Sequence, residues 1–296
     1  MQIHSYPFKA MGSPCELKLY AEDRAQADAA ADRATGEISR LERVYSRYRP
    51  DSVTTRINRS AGIARGVDVD AETAGLLDYA ASAYGESDGL FDLTSGVLRR
   101  AWDFRSGRVP DRKRVEELLP LVGWDKIIWR RPRIVLPVAG MELDFGGFVK
   151  EYTADCAAQA CRAAGIAHGL VDLGGDIALI GPHPDGSAWR VGVQHPRDLA
   201  NAIAYVELDQ GAIATSGDYE RFMEVDGTRY CHILNPRTGW PAQHLASVSV
   251  LAPQCLIAGT ATTIAILKEE QGPAWLSELG LSHLCFERTR EGVRQC

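Results

Sequence analysis

Residues 142–180 read ELDFGGFVKEYTADCAAQACRAAGIAHGLVDLGGDIALI and hold several local signals in close succession. They predict a strand that ends at residues 142–144, a turn at the two glycines, and a helix over residues 148–164. An apolar strand is predicted at residues 169–173, and a second Gly-Gly turn leads into another strand at residues 177–180. Strands joined by tight turns beside a long helix indicate a mixed architecture.

The same kinds of signal continue on both sides of this segment. Long helices are predicted at residues 23–46, 70–84 and 255–268, and shorter ones at 111–122 and 275–279. Further strands are predicted at residues 16–20, 126–129, 133–136, 189–194, 202–208, 219–225, 229–233, 246–251 and 282–286. Because hairpin-length turns join the strands and no Pro- or Ser-rich linker separates two cores, we predict one α+β domain over residues 1–296.

The composition narrows the class of protein. The chain has 296 residues, of which 45% are hydrophobic and 24% are charged, as in ordinary globular proteins. A formal net charge of −6 argues against a broad nucleic-acid-binding face, which needs clustered Lys and Arg. No apolar run reaches the length of about 18 residues that a membrane span requires, so no membrane segment is expected.

The cysteines and the first 20 residues indicate the cellular compartment in which the protein is expected. The seven cysteines are odd in number and scattered, and no Cys-x-x-Cys motif occurs, so neither a disulfide framework nor a zinc site is expected. Residues 1–20 lack the basic and apolar segments of a secretory signal, and no lipid-attachment Cys lies near the start. We therefore expect a cytoplasmic protein with a cytoplasmic partner.

Residues 144–155, DFGGFVKEYTAD, are a candidate anion site because a strand end, two glycines and a helix start occur together. Backbone N–H groups at such a helix start can bind an anion, and the helix dipole favours negative charge there. Lys150 could add a positive charge to a phosphate. The alternative is a tight turn with a solvated lysine, and the segment matches neither a dinucleotide-binding glycine motif nor a P-loop.

Three further segments are weaker candidates. Residues 172–176, DLGGD, indicate a bulge or a close approach of two backbones. The hydroxyls of Thr215 and Ser216 beside Gly217 could line a phosphate pocket, but such residues also form ordinary turns. In residues 258–263, AGTATT, small residues within an apolar helix favour close packing, with hydroxyls bonded back to helix carbonyls.

Residues 232–241, HILNPRTGWP, combine a strand end with a turn-rich loop that carries His232, Asn235, Arg237 and Thr238. Histidine is the usual general base near neutral pH, and loops held by rigid strands often carry function. The pattern therefore favours a functional loop, while placement of the histidine by chance stays the alternative.

These segments belong to a longer series of short motifs. The series consists of residues 11–13 (MGS), 45–48 (YSRY) with Ser52 and Asn58, 89–96 (GLFDLTSG), 143–144 (LD), 150–152 (KEY), Asp155, 173–176 (LGGD), 215–217 (TSG), 232–233 (HI) and 236–239 (PRTG). In number, order and spacing, these motifs resemble those of the ApbE family, the FAD:protein FMN transferases. The resemblance implies an α+β unit of two lobes, related to the T-fold, with mixed or antiparallel sheets, flanking helices and an FAD cleft between the lobes.

The same resemblance implies that FAD is bound as a substrate. In the family reaction, FMN passes from FAD to a Thr hydroxyl of an acceptor flavoprotein, within a segment of the Asp/Ser-Gly-Ala-Thr-Ser/Thr type, and AMP is released. The residues expected to bind FAD are Met11, Tyr48, Leu90, Phe91, Asp92, Asp144, Lys150, Thr215, Ser216, Gly217, Ile233 and Arg237.

The chemistry of this reaction accounts for the residue types. Lys150, backbone N–H groups and Mg²⁺ are expected to neutralise the pyrophosphate. A Thr hydroxyl is a weak nucleophile, and His232 is the base we expect to activate it. The magnesium donors expected from this chain are Thr263 and the backbone carbonyl of Gly147, together with the FAD phosphates.

Three positions depart from the family pattern. Gly259 stands where a metal-binding Asp is usual, Glu151 where Gly is usual, and Asn235 where Asp is usual. Loss of the carboxylate predicts a weaker metal site, and Glu151 is expected to add bulk near the phosphates. The leading hypothesis is an Mg²⁺-dependent FMN transferase. The alternatives are a non-catalytic FAD-binding or flavin-delivery protein, and an FAD pyrophosphatase in which water replaces the Thr hydroxyl.

Overall fold

The computed structural model describes residues 1–290 and 292–296. The strands, in chain order, are β1 (Gln2–Ala10), β2 (Ser13–Ala21), β3 (Val67–Asp68), β4 (Ile128–Arg130), β5 (Arg133–Val135), β6 (Gly169–Leu173), β7 (Ile177–Gly181), β8 (Trp189–His195), β9 (Asp198–Leu208), β10 (Ala212–Gly217), β11 (Phe222–Val225), β12 (Thr228–Cys231), β13 (Leu245–Ala252), β14 (Ser282–Thr289) and β15 (Gly292–Gln295). The α-helices are α1 (Arg24–Tyr45), α2 (Val53–Arg59), α3 (Ala71–Glu86), α4 (Arg112–Leu118), α5 (Val149–Ala163), α6 (Cys255–Leu267) and α7 (Gly272–Glu278).

An eight-stranded sheet forms the larger lobe, in the order β1-β2-β6-β7-β10-β13-β14-β15. Each neighbouring pair in this sheet is antiparallel. Helices α1, α5 and α6 share one buried core with the sheet, in which Leu17 and Val248 of the strands meet Ala34, Ala157 and Ala261 of the helices. The many small side chains let the helices approach one another and the sheet closely.

A long hairpin covers part of the sheet with a core of its own. Strands β8 and β9 pair antiparallel, and Trp189 and Val193 of β8 pack with Leu208 of β9. The same cluster contains Leu179 and Ile213 of the large sheet. Burial of apolar side chains therefore attaches this hairpin to the larger lobe.

The smaller lobe is built around α3 and a three-stranded sheet in the order β3-β5-β4. Its core contains Leu77 of α3, Ile134 of β5 and Phe145 in the 3-10 turn Phe145–Gly147 that precedes α5. Helix α1 contributes to both lobes, because Ile38 belongs to the core of the larger lobe and Leu41 to that of the smaller one. The start of α5 also lies where the two cores meet, because Val149 belongs to the core of the smaller lobe and Ala154 to that of the larger one.

The predicted α+β class is confirmed, but one predicted strand is wrong. Residues 142–144 are irregular rather than the end of a strand. The side chain of Asn58 replaces a pairing strand there, since its Nδ2 donates to the carbonyl of Leu143 at 2.9 Å and its Oδ1 accepts from the N–H of Leu143 at 2.7 Å. Local patterning cannot reveal this pairing because the two residues are far apart in the sequence.

Other differences concern the ends and the number of elements. Residues 215–217 lie within strand β10, not in a turn, and the strand predicted at residues 219–225 begins only at Phe222. Strands β1, β3, β10 and β15 and helix α2 were not predicted. Within residues 1–290 and 292–296, no helix combines the length and the apolar character needed to cross a membrane.

Candidate active site

Asp144 holds the turn that leads into α5. Its Oδ1 accepts a hydrogen bond from the backbone N–H of Gly146 at 2.9 Å, and its Oδ2 pairs with the guanidinium of Arg47. Glycine is needed at position 96, because a Cβ there would overlap the Cβ of Asp144. The Gly-Gly segment thus forms the predicted turn, and it does so against residues from two other parts of the chain.

Lys150, in the first turn of α5, forms an ion pair with Asp176 at 2.8 Å. The Oδ1 atom of Asp176, in the turn between β6 and β7, also accepts a hydrogen bond from the N–H of Thr215 at 3.2 Å. Burial by itself would lower the pKa of Lys150, but the nearby carboxylates, Asp176 foremost, raise it above its ordinary value. Three separate motifs therefore meet around one ammonium group.

A group of hydroxyls adjoins this ion pair. The Oγ of Ser216 lies 2.8 Å from Oγ1 of Thr262 and 3.3 Å from Oγ1 of Thr263. The Oγ1 of Thr262 also donates to the carbonyl of Gly259 at 2.8 Å, which is the back-bonding predicted for this helix. Strand β10 and helix α6 thus present their hydroxyls to each other, and those of Ser216 and Thr263 are available to a polar ligand.

His232 is a neutral imidazole at neutral pH. Burial lowers its pKa to about 4, and the positive charges of Arg221 and Lys150 act in the same direction. Its backbone N–H donates to the carbonyl of Arg221 at 2.9 Å, while Nδ1 is out of contact with solvent and has no hydrogen-bond partner among the described residues. An unprotonated imidazole beside a lysine is suited to accept a proton.

The carboxylate of Glu151 is the least expected feature of the site. The residue keeps some exposed surface, but its Oε2 atom has no contact with solvent and no hydrogen-bond partner among the described residues. Burial raises the pKa of Glu151 well above its usual range, the adjacent Asp176 carboxylate raises it further, and Lys150 acts in the opposite direction. A Cβ at Gly259 would lie 2.8 Å from Oε1 of Glu151.

The site can be tested for its fit to a divalent cation. Within residues 1–290 and 292–296, no three His, Cys, Asp or Glu side chains form a metal-binding group. The oxygens near the start of α5 are nevertheless of the kind that Mg²⁺ prefers, since they include a carboxylate oxygen of Glu151 without a partner and the hydroxyl of Thr263. The donor set therefore fits a cation that also keeps phosphate or water oxygens as ligands.

Some of the residues expected to bind FAD lie around this centre. Tyr48 is 78% exposed, and the guanidinium of Arg47 lies 5.0 Å from its ring centroid. Met11 has a left-handed φ of 50°, and its N–H donates to Oε1 of Glu42 at 3.0 Å. Ile233 is buried directly after His232. Tyr48 thus offers an exposed ring that could stack on a planar ligand.

The segment that contains Leu90, Phe91 and Asp92 is buried instead. The Oδ1 of Asp92 accepts from the N–H of Thr94 at 2.7 Å, and Oδ2 accepts from the N–H of Trp124 at 3.0 Å. Burial raises the pKa of Asp92, while the hydrogen bonds from Thr94 and Trp124 lower it. The carboxylate of Asp92 therefore stabilises the backbone at Thr94 and Trp124.

Arg237 lies at a recess whose lining includes neither Lys150 nor Ser216. It lines this recess with Asp92, Tyr84 and Gly123, and its guanidinium donates to the carbonyl of Asp88. The structure thus connects Lys150, through Asp176, to the backbone N–H of Thr215, whereas the hydroxyl of Thr215 pairs with that of Ser249 at 2.7 Å.

Sequence reasoning missed a second charged group next to the site. The carboxylate of Asp218 is 1% exposed and meets Arg197 at 2.7 and 2.8 Å. Arg288 Nε lies 2.6 Å from Oδ2 as a close ion contact rather than a well-directed hydrogen bond, and Arg229 approaches Oδ1 at 3.5 Å. The position of Asp218 directly after Gly217 was the only available signal, because the three arginines are distant in the sequence.

Comparison with known proteins agrees with this architecture. The model of the ApbE family matches residues 11–285. The chain belongs to the ApbE family. The resemblance inferred from the motifs is therefore confirmed.

Individual ApbE proteins match over almost the whole chain. The FAD:protein FMN transferase of Klebsiella pneumoniae (strain 342) is 32% identical over 284 residues, which cover 94% of this chain and 86% of that protein. The crystal structure of the ApbE protein from Thermotoga maritima MSB8 superposes with a TM-score of 0.87 at 30% identity, covering 99% of this chain and 97% of that one. The apo form of the Pseudomonas stutzeri flavinyl transferase ApbE gives 0.87 at 28% identity, covering 100% and 94%.

Proposed function

We propose that this ApbE-family chain transfers FMN from FAD to a Thr hydroxyl of an acceptor flavoprotein and releases AMP. The observation that carries the proposal is the convergence of Lys150, the hydroxyls of Ser216 and Thr263 and the neutral imidazole of His232 at the start of α5. The name of the Klebsiella relative, FAD:protein FMN transferase, supports the same reaction.

In this proposal, Lys150 and the N–H groups at the start of α5 bind the pyrophosphate of FAD. A positive charge held by Asp176 and a helix N-terminus both favour a phosphate group. The exposed ring of Tyr48 is proposed to contact the planar parts of FAD, with Met11 and Asp144 beside it. The remaining FAD contacts expected from the resemblance stay predictions.

The transfer step can be written with its bonds balanced. The Thr Oγ of the acceptor forms a bond to the phosphorus of the FMN half, and the bond from that phosphorus to the bridging oxygen breaks. The electron pair of the broken bond stays on AMP, and the Thr proton passes to the imidazole of His232. A nearby pyrophosphate would raise the pKa of His232 from about 4 towards the range in which proton transfer is efficient.

A bound Mg²⁺ would add neutralisation of the charge that develops on the phosphate oxygens. Thr263 and the carbonyl of Gly147 are the proposed donors from the resemblance. Their hydroxyl and carbonyl oxygens are ligand types that Mg²⁺ accepts, and the metal usually keeps water and phosphate ligands beside them.

The proposal is tested by transfer itself. Purified protein, FAD and Mg²⁺ are mixed with an acceptor domain that carries the Thr motif, and flavin fluorescence is read in a denaturing gel while AMP release is followed. We expect a fluorescent acceptor band and AMP in equal amounts. An acceptor in which the motif Thr is replaced by Ala is the matched control, and it must give no fluorescent band.

Two other results would each identify an alternative. Free FMN and AMP without a labelled band indicate an FAD pyrophosphatase. FAD binding with neither product indicates a non-catalytic flavin-binding or delivery protein. The cytoplasmic location of the chain and of its acceptor stays a prediction.

A further inference from the structure

Glu151 and position 259 compete for one volume. A Cβ built on Gly259 of α6 would lie 2.8 Å from both Cδ and Oε1 of Glu151, and closer still to its Cγ. Real Cβ atoms do not approach other atoms so closely, so a side chain at position 259 would require the Glu151 side chain to leave its present position. In this chain the carboxylate of Glu151, from α5, occupies that volume, and Gly259 of α6 has no side chain there.

The carboxylate placed in that space is incompletely satisfied. Oε2 of Glu151 has no solvent contact and no hydrogen-bond partner among the described residues. Buried charged groups are normally paired with an opposite charge or bound to a metal, since an unpaired one loses its hydration without compensation. The neighbouring cation does not meet this need, because the ammonium of Lys150 pairs with Asp176 at 2.8 Å.

The surroundings of Glu151 supply further oxygens. Its carboxylate lies against that of Asp176, so two acidic groups share one region. On α6, Thr263 follows Gly259 by four residues and thus lies on the same face of the helix. Gly147 precedes Glu151 by four residues, just before α5. A cation beside Oε2 would therefore lie near the carboxylates of Glu151 and Asp176 and on the face of α6 that carries the Thr263 hydroxyl.

We propose that Glu151 is the carboxylate ligand of a divalent cation at the pyrophosphate site, and that it reaches from α5 into the space that a side chain at position 259 of α6 would fill. The ligand is thus supplied by a different helix from the one expected. The proposal rests on the proposed transferase function for the role of the metal, but not for the existence of the site.

The test measures metal binding directly. Mn²⁺ is titrated into the protein with and without FAD, and unbound Mn²⁺ is quantified by electron paramagnetic resonance. We expect Glu151→Gln to weaken Mn²⁺ binding at least tenfold, because it removes the charge but keeps the shape. Glu220→Gln, which removes another negative charge near Lys150, is the matched control and should stay within about threefold of the unmodified protein.

An exchange of the two positions sharpens the test. The double variant Glu151→Gly, Gly259→Asp moves the carboxylate to α6, and we expect it to recover Mn²⁺ affinity to within about fivefold of the unmodified protein. The single variant Gly259→Asp crowds both side chains into one space, so its midpoint of thermal unfolding should fall. Thermal unfolding of Glu151→Gln confirms that the variant is folded.

Two results would overturn the proposal. One is unchanged Mn²⁺ affinity in folded Glu151→Gln, which would make Glu151 a protonated group that shares its proton with Asp176. The other is the absence of Mn²⁺ binding by the unmodified protein with or without FAD. Dependence of Mn²⁺ binding on Glu151 in a protein that transfers no FMN would uphold this site and reject only the transferase function.

Discussion

The pairing of Lys150 with Asp176 sets the charge balance of the site. Asp176 is almost completely buried and holds the ammonium at 2.8 Å, so Lys150 stays protonated and fixed in position. His232 is influenced by the same charge, which together with burial keeps its imidazole neutral. One lysine can therefore serve both to bind a phosphate and to prepare a base.

Replacement of His232 by Asn should affect transfer far more than binding. We expect the rate constant of FMN transfer to fall about 10²–10⁴-fold, because a positioned general base contributes that much to proton transfer. The dissociation constant for FAD, measured by quenching of flavin fluorescence, should change by less than about threefold. Equal losses in the rate and in FAD affinity would show that His232 acts in binding instead.

His232 should also make stability depend on pH. Its pKa is about 4 in the folded protein and 6.5 when the side chain is free of its surroundings, as in the unfolded chain. Between pH 4 and pH 6.5, the unfolded chain therefore binds more protons than the folded protein. The free energy of unfolding should therefore decrease as the pH falls from 6.5 to 4, by at most about 3 kcal/mol from this group. In His232→Asn, urea unfolding should show a shallower decrease, and parallel pH curves would contradict the assignment.

At the scale of the elements, helix α6 depends on α5 for its beginning. Residue Gln254, at its N-cap, makes no side-chain hydrogen bond, and Asp155 of α5 caps the helix instead. Its Oδ1 accepts from the N–H of Cys255 and its Oδ2 from the N–H of Leu256, both at 2.9 Å. This cap fixes the relation between the helix that carries Glu151 and the one that carries Gly259.

Removal of this cap should destabilise the protein. We expect Asp155→Ala to lower the free energy of unfolding by about 1–3 kcal/mol, since two helix N–H groups lose a charged acceptor. Asp111→Ala, at the exposed start of α4, is the matched control and should cost less than about 1 kcal/mol. Urea unfolding of both variants provides the comparison, and equal losses would argue against a special role for Asp155.

At the scale of the whole molecule, Asp218 joins segments that are distant in the sequence. Arg197 lies between β8 and β9, Arg229 in β12 and Arg288 in β14, and all three approach the buried carboxylate that follows β10. The long hairpin of β8 and β9, the hairpin of β11 and β12 and the large sheet are thereby linked next to the TSG motif. Only the folded chain brings these four residues together.

We expect Asp218→Asn to be strongly destabilising. Removal of one partner from a buried ionic group leaves the remaining charges uncompensated, at a cost of about 3–5 kcal/mol in the free energy of unfolding. The control is Glu224→Gln, which removes the exposed partner of Arg229 at 2.7 Å and should cost less than about 1 kcal/mol. A loss below 1 kcal/mol in Asp218→Asn would show that the arginines are stabilised by water instead.

The sequence by itself determined the class of the fold, the family and most of the helices and strands. These features follow from hydrophobic periodicity and turn residues, which are visible within short stretches of sequence. It also placed Lys150 at a helix start and His232 at a strand end. Only the tertiary structure decided which groups meet. Asn58 replaces a strand at Leu143, and Glu151 fills the space left by Gly259, since such contacts join residues about a hundred positions apart and leave no local pattern.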